Sequence, residues 1–253
     1  MQVNFSLSEP EAGLEGGWNR RLGRAWARML RSLDISPSST AVEVGPGFAA
    51  KVGFGLAELG FRGTLILVEP NEVARSWVVR RYRRLLPHAE VLALAASVPD
   101  AASIAGRSVD LLMANHLLDD LLLNAAVPQR DGAQLFAQMR PGAECSGAFV
   151  EIWRRLLHTP KRLDWLVGSV AEDFSHFINA VRPRVMVLNQ YPSWRHQSHG
   201  LGAIHAHSLR VMRLLSGKIG PDRLGPGNDT PFPADPVRWL VRTPELRDTQ
   251  VPL

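Results

Sequence analysis

Two carboxylates and a pair of glycines are the residues of this sequence best suited to hold a small ligand. Glu43 stands in an apolar segment just before Gly45 and Gly47, and Glu69 ends the next apolar segment. Glycines after a strand let the backbone approach a ligand closely, and a carboxylate at the end of the following strand can accept hydrogen bonds from ribose hydroxyls. The pattern predicts a nucleoside-binding loop; a plain strand-to-helix turn is the alternative.

Three features of this loop argue against a dinucleotide. Pro46 lies between the glycines and has no N–H to offer a pyrophosphate. The third glycine of the dinucleotide pattern is replaced by Ala50, and the carboxylate of Glu43 would repel a pyrophosphate. An ammonium group would be attracted instead, so we expect a nucleoside ligand of another kind.

A second polar group follows the segment "DLLMAN" (110–115). His116, Asp119 and Asp120 come directly after it and could serve as a base or as an anchor for a cationic amine. The alternative is structural, because acidic residues stabilise the first turn of any helix. Both interpretations stay open for His116 and Asp119, and the functional one is weaker for Asp120.

A third group lies in the segment 189–207, which contains Tyr191, Trp194, Arg195, His196, His199, His205 and His207. Four histidines so close together suggest a metal site. However, the segment has no acidic residue, and His205 and His207 would lie on different faces of a helix. We therefore expect no metal, and predict an aromatic substrate pocket with a histidine base.

The spacing of apolar residues and turn signals predicts the elements that position these groups. Strands are predicted at 40–45, 64–69, 89–94, 108–115, 184–190 and 237–243, and helices at 18–33, 49–60, 71–86, 169–181 and 203–217. Residues 147–157 could be a helix or a strand leading into one, and the turn-rich segment 221–236 is predicted to be a loop. The alternation predicts an α/β fold with a Rossmann-like, doubly wound, mainly parallel sheet.

The sequence resembles the class I S-adenosylmethionine-dependent methyltransferases over about residues 36–190, and through the last strand to 243. The segments that carry the resemblance are "VEVGPG" (42–47), "LVEPN" (67–71), "AASVPD" (95–100), "DLLMANHLLDDL" (110–121) and "VRPRVMVLNQ" (181–190). The family often has a third loop glycine where this chain has Ala49; since the residue is still small, we expect S-adenosyl-L-methionine to fit.

The resemblance implies a role for each matching residue. Glu43 would orient the ammonium group of the cofactor and Glu69 would hold its ribose. The cofactor contacts implied are Glu43, Gly45, Pro46, Gly47, Glu69, Pro70, Ala96, Ser97, Asn115 and His116. The candidate catalytic residues are His116, Asp119, Tyr191 and His196, and the candidate substrate contacts are Asp119, Asp120, Trp194 and His199.

The domain organisation expected is a helical segment at 1–35 followed by a Rossmann-like domain at 36–253. The first segment contains Trp18 and Trp26 on a basic amphipathic helix, which would either cap the site or simply pack against the sheet. Residues 119–170 exceed a minimal strand–helix connection and are interpreted as a helical insertion that helps to set specificity.

Composition limits the partners. The formal charge is +5 and the pI about 10.1, with arginines concentrated at 20–31, 80–84 and 154–162. Such clusters bind phosphates or form exposed helix faces. Because the chain lacks the Asn/Asp-Pro-Pro-aromatic tetrad common in nucleic-acid amino-methylating enzymes, we expect a small molecule rather than nucleic acid. Oligomeric state, including a homodimer, is left open.

Cellular context is predicted from three observations. The single cysteine, Cys145, fits a reducing compartment, the first residues lack a signal sequence, and no apolar run is long enough to span a membrane. We therefore expect a cytoplasmic protein without membrane association.

Four functions remain open at this point. The first is methyl transfer to a nitrogen, oxygen or carbon of a small molecule in specialised metabolism. The second is attack on the aminocarboxypropyl arm of the same cofactor, which releases methylthioadenosine and would include cyclisation to an azetidine amino acid. The third is methylation of nucleic acid, and the fourth is a non-catalytic role for a retained fold.

Overall fold

Strands and helices alternate along the first half of the chain, as predicted. In a computed structural model the described residues are 17–98, 100, 104, 107–127, 147–219, 223–225 and 238–243. The first half contains α1 (Gly17–Ser32), β1 (Thr40–Val44), α2 (Lys51–Glu58), β2 (Thr64–Val68), α3 (Glu72–Leu85), β3 (Glu90–Leu94) and β4 (Leu111–Asn115). The second half contains α4 (Leu118–Ala126), α5 (Gly147–Leu157), α6 (Pro160–Val181), β5 (Val185–Gln190), α7 (Trp194–Ser198), α8 (Ile204–Ile219), β6 (Arg223–Gly225) and β7 (Arg238–Arg242).

The described strands form one seven-stranded sheet in the order β3-β2-β1-β4-β5-β7-β6. The first five are parallel, and β7 runs antiparallel to both β5 and β6. The predicted Rossmann-like, mainly parallel sheet is therefore confirmed. The strand order reverses between β1 and β4, and in open α/β sheets ligands bind at such a point, outside the carboxyl ends of the strands.

Two predictions about the second half need correction. Residues 221–236 were predicted to be a loop, yet 223–225 form β6, which pairs with β7 through Leu224 and Leu240. A short edge strand is stabilised by its partner's backbone, which local composition does not reveal. The connection between the predicted strand 184–190 and the predicted helix 203–217 contains α7, where the Ser193 hydroxyl accepts the His196 N–H at 3.4 Å. Residues 147–157 are a helix.

The hydrophobic core has two halves, because successive strand residues point to opposite faces of the sheet. Leu112 packs with α4, α5, α6 and α8 on one face, where Trp153 and Phe174 are buried. Leu111 packs with α1, α2 and α3 on the other face, where Trp26 and Tyr82 are fully buried. No helix in the described part of the chain is long and apolar enough to cross a membrane.

Helix α1, the first helix in the described part of the chain, packs closely against α2. A Cβ added at Gly23 would lie 2.4 Å from the Phe54 Cβ, and one at Gly55 would lie 2.6 Å from the Trp26 Cβ. These distances are shorter than van der Waals contact, so both glycines are required for this approach. Of the two roles expected for this helix, the structure shows packing against the rest of the fold. The Trp18 side chain lies outside the described residues.

Candidate active site at the carboxyl edge of the sheet

The loop after β1 places its two glycines in the left-handed region, with φ +60° at Gly45 and φ +57° at Gly47. Side chains at the two positions would meet different surroundings. A Cβ at Gly45 would lie 2.3 Å from the Cδ1 of Leu117, which follows β4, whereas a Cβ at Gly47 would meet nothing within 4 Å. The backbone at Gly47 therefore borders open space at the carboxyl edge.

Glu69 lies beside this loop and is nearly buried, with 6% exposure. Its Oε2 accepts the N–H of Gly47 at 3.0 Å and its Oε1 accepts the N–H of Asn71 at 2.9 Å. Burial raises the pKa of Glu69, although the two backbone hydrogen bonds oppose the shift. The carboxylate is thus fixed between two loops, and each oxygen keeps a lone pair for a ligand.

Glu43 points into the layer between the sheet and α3. Its carboxylate accepts a short hydrogen bond from the hydroxyl of Tyr82, and that hydroxyl accepts the N–H of Gly53 at 3.0 Å. Glu43 is 1% exposed, and burial raises its pKa to about 8 against the opposing effect of the Tyr82 bond. Only the apolar spacing of α3 indicated that Tyr82 is buried, and nothing in the sequence indicated that it bonds Glu43.

A chain of polar side chains crosses from α2 to α1 above β4 and β5. Lys51 donates from Nζ to the Tyr191 hydroxyl at 2.7 Å, and Asn115 donates from Nδ2 to the same oxygen at 3.3 Å. Trp26 donates from Nε1 to Asn115 Oδ1 at 3.1 Å. Sequence reasoning selected Asn115 and Tyr191 but missed Lys51, whose only signal was a lysine directly after the glycine loop.

Asp119 lies between two histidines. Its Oδ1 is 3.5 Å from His116 Nδ1 and its Oδ2 is 3.7 Å from His196 Nδ1. Gln190, the last residue of β5, donates from Nε2 to Oδ1 at 3.2 Å. The structure therefore brings together three of the predicted catalytic residues, and adds Gln190, which was not predicted.

His116 has an unusual backbone and an unsatisfied side chain. Its φ of +54° is uncommon for a residue with a Cβ, and its backbone N–H is held by the carbonyl and side-chain oxygens of Asn189 at 3.0 and 3.2 Å. Among the described residues its buried Nε2 has no hydrogen-bond partner. Since Nδ1 faces Asp119, the imidazole presents Nε2 as the atom able to take a proton.

The charges of this cluster favour an ionised aspartate beside a neutral histidine. Burial alone would raise the pKa of Asp119, but the two imidazoles and the Gln190 hydrogen bond lower it overall. Burial lowers the pKa of His116 despite the nearby Asp119 carboxylate. At neutral pH His116 is therefore in its basic form.

Aromatic rings surround the cluster. The rings of His116 and Tyr191 lie 4.2 Å apart between centroids, and those of Trp153 and His196 lie 6.0 Å apart. His205 is close enough to interact electrostatically with His116 and Asp119, and burial lowers its pKa to about 4. The aromatic and histidine rings of the predicted pocket therefore lie near one another, and their role in binding a substrate stays a prediction.

The remaining predicted site residues are less closely grouped. Asp120 is exposed on α4, and His199 is half-buried at the end of α7. Ala96 is buried in the core, Ser97 is half-buried and bonds Asp100, and Pro70 is exposed. The Trp194 side chain lies outside the described residues. Among the residues that are described, no group of three His, Cys, Asp or Glu side chains could hold a metal ion.

Comparison with known proteins bears on the fold. No protein-family model matches the sequence, and no curated protein matches it. The structure is similar to that of a proposed S-adenosyl-L-methionine-dependent methyltransferase from Methanococcus maripaludis. The TM-score is 0.50 and the identity 9%, and the match covers 96% of this chain and 95% of that chain.

Two further solved structures are similar at lower scores. A SAM-dependent methyltransferase from Aquifex aeolicus gives a TM-score of 0.48 at 10% identity, covering 92% of this chain and 97% of that one. The bifunctional kinase–methyltransferase WbdD gives 0.49 at 10% identity, covering 94% of this chain and 40% of that one, so the chain spans less than half its length. At these identities the likeness concerns the fold alone, and the first of these structures supports the predicted Rossmann-like fold.

Proposed function

We propose that the chain binds S-adenosyl-L-methionine and transfers its methyl group to a small molecule. The observation that carries this proposal is the joint placement of Glu69 and Gly47, whose carboxylate and N–H meet at 3.0 Å. Gly47 follows β1, where the strand order reverses between β1 and β4, and Glu69 follows the neighbouring strand β2. A fixed carboxylate beside an open glycine loop at this point fits the ribose of a nucleoside.

The residues present fit this cofactor in three respects. The backbone at Gly47 has open space beside it, so a ligand can approach without meeting a side chain. Pro46 offers no N–H for a pyrophosphate. Glu69 holds its carboxylate beside that opening, where the hydroxyls of a ribose could donate to it. When bound, the cofactor supplies an electrophilic carbon on a sulfonium.

In this proposal His116 removes the proton from the acceptor. Its Nε2 is buried and lacks a hydrogen-bond partner in the described part of the chain, and its lowered pKa keeps it neutral. Asp119 acts through His116, because its carboxylate, 3.5 Å from Nδ1, favours a proton on Nδ1 and leaves Nε2 as the proton acceptor. The rings of Tyr191, Trp153 and His196 reduce the access of water.

The proposal is tested by binding and by product analysis. S-adenosylmethionine and S-adenosylhomocysteine should each raise the melting temperature, and NAD should not. Replacing Glu69 with Gln should lower the affinity for S-adenosylhomocysteine by about 10- to 100-fold, because a buried charged acceptor is lost. The matched control is Glu72→Gln, which changes an exposed carboxylate three residues further along.

The nucleoside released on turnover separates the remaining alternatives. Mass spectrometry showing S-adenosylhomocysteine supports methyl transfer, whereas methylthioadenosine would identify attack on the aminocarboxypropyl arm. Failure of both cofactor forms to bind the wild-type protein would exclude the proposal. If RNA or DNA binds in a salt-dependent way and inhibits turnover of small molecules, the acceptor would be nucleic acid rather than a small molecule.

A further inference from the structure

Lys51 is a buried lysine at the first residue of α2, with 5% exposure. Lysine is rarely this buried without an acidic partner, because an isolated ammonium loses much of its hydration. Its Nζ donates to the Tyr191 hydroxyl at 2.7 Å and lies 5.4 Å from the centre of that ring. Among the described residues no carboxylate forms an ion pair with it.

The nearby acidic residues already have other partners. Glu43 accepts from Tyr82, and because burial raises its pKa to about 8 it is largely protonated at neutral pH. Glu69 accepts the two loop N–H groups, and Asp119 lies between two histidines and Gln190. Glu43 also interacts electrostatically with Lys51, but in its protonated form it carries no charge, so the ammonium of Lys51 has no full counter-charge within the described part of the protein.

The start of α2 adds further positive potential. The residue before Lys51 is Ala50, which gives no side-chain hydrogen bond to the helix, and the first turn contains no acidic residue. The first N–H groups of a helix lack partners within it and carry partial positive charge. At this helix start the Lys51 N–H donates to the Ala49 carbonyl and the Gly53 N–H to the Tyr82 hydroxyl, so the ammonium of Lys51, four residues after Gly47, is the main positive charge here.

We infer that Lys51 binds the carboxylate of the amino-acid end of S-adenosylmethionine. This inference rests on the proposed function, since it concerns the same cofactor. Glu69 marks the ribose end of the site, and the loop from Gly47 leads directly to Lys51. The ammonium uses one N–H on Tyr191 and has two more to donate to an anion. A bound carboxylate supplies the missing counter-charge.

The test compares two nucleosides that differ only in the carboxylate. Calorimetry would measure the affinity of S-adenosylhomocysteine and of S-adenosyl-3-thiopropylamine, its decarboxylated counterpart. Wild-type protein should bind the first about 10- to 100-fold more tightly, as expected for a charge-assisted hydrogen bond in a buried site. In Lys51→Met this preference should disappear, because only the interaction with the carboxylate is removed.

Controls separate this role from a structural one. Lys161→Met removes an exposed lysine of α6 and should keep the preference. Tyr191→Phe removes the hydroxyl that Lys51 contacts and should also keep most of it, which shows that Lys51 acts directly. The melting temperature of ligand-free Lys51→Met should not fall, because the substitution removes a buried charge without a counter-ion.

Each outcome is decisive. If Lys51→Met weakens both nucleosides equally, or if the wild type shows no preference for the carboxylate, the role of Lys51 is wrong while the cofactor assignment stands. If the wild type binds neither nucleoside, the proposed function fails and this inference fails with it. Should Lys51→Met not fold, the absence of a carboxylate preference in the wild type would alone overturn the inference.

Discussion

The two halves of the candidate site are built by different kinds of contact. At the ends of β1 and β2, Glu69 bonds residues that are 2 and 22 positions away in the chain. At the ends of β4 and β5, Gln190 reaches Asp119 across 71 positions, and Lys51 reaches Tyr191 across 140. The first half is therefore a local motif, whereas the second exists only once the sheet has assembled.

The two halves also differ in how they hold charge. Glu69 is held by backbone N–H groups, which keep their positions whatever the side chains are. Asp119 is held by side chains from three segments. They are His116 between β4 and α4, Gln190 at the end of β5, and His196 on α7. A carboxylate held by the backbone is suited to bind a constant part of a ligand, such as a ribose. A cluster held by side chains can change by substitution and so adapt to a particular acceptor.

The largest effect is expected in the side-chain half. His116→Gln should lower kcat by about 100- to 10,000-fold, the usual range for loss of a general base, and should leave S-adenosylhomocysteine affinity nearly unchanged. Because burial lowers the His116 pKa, activity of the wild type should fall on the acid side only below the usual histidine range. A pH–rate profile measures this limb.

The matched control for that substitution is His158→Gln, which changes an exposed histidine after α5. It should leave both kcat and the pH profile unaltered. Full activity in His116→Gln would assign the proton transfer elsewhere, and an equal loss of nucleoside affinity would show that the two halves are not separable.

The sequence was most informative where contacts are local. The spacing of Gly45, Gly47 and Glu69 predicted the loop and its carboxylate, and the apolar segments predicted the strands of the parallel sheet. The short strand β6 was missed, because three residues that include Gly225 carry no strand signal of their own. Its existence depends on the neighbouring β7.

Long-range partners were predicted only in part. His116, Asp119, Tyr191 and His196 follow strand ends, so parallel topology alone placed them at one edge. Gln190 was missed because its role depends on which face of β5 it lies on, and Lys51 because surface exposure is the ordinary expectation for lysine. Burial of a polar side chain is a property of the assembled fold.

A smaller effect should appear in the stability of the local half. Burial raises the Glu43 pKa from its usual 4.5 to about 8, so between these values the folded state holds a proton that the unfolded state releases. Stability from this group is full below pH 4.5 and is lost as pH rises toward 8, by about 1.4 kcal/mol per pH unit within the window.

Glu43→Gln should remove this component. Urea unfolding of both proteins at several values between pH 5 and 8 would show the wild type losing stability relative to the variant as pH rises. Contributions from Glu69 and the histidines are present in both proteins and cancel. Parallel curves would show that Glu43 does not bind a proton in this range, and Glu58→Gln, at an exposed position, should give such parallel curves.

The smallest effects test where the two halves touch. Gly45→Ala places a methyl against Leu117 and should lower the free energy of unfolding by about 1–3 kcal/mol. Gly47→Ala, at a similar φ but beside open space, should cost only about 1 kcal/mol. Calorimetry should show that Gly47→Ala nevertheless lowers the affinity for S-adenosylhomocysteine, because the alanine methyl projects where the ligand is proposed to lie.

Combining each glycine substitution with Leu117→Ala gives two double-mutant cycles. If the cost of Gly45→Ala arises from contact with the Leu117 side chain, part of it should vanish in the double variant, since the obstructing methyl groups are gone. The corresponding double variant with Gly47→Ala should be additive, because nothing from the second half reaches that position. Additivity in both cycles would mean that the glycine loop and the segment after β4 are energetically independent despite their contact, and that Gly45 is required only for its backbone angle.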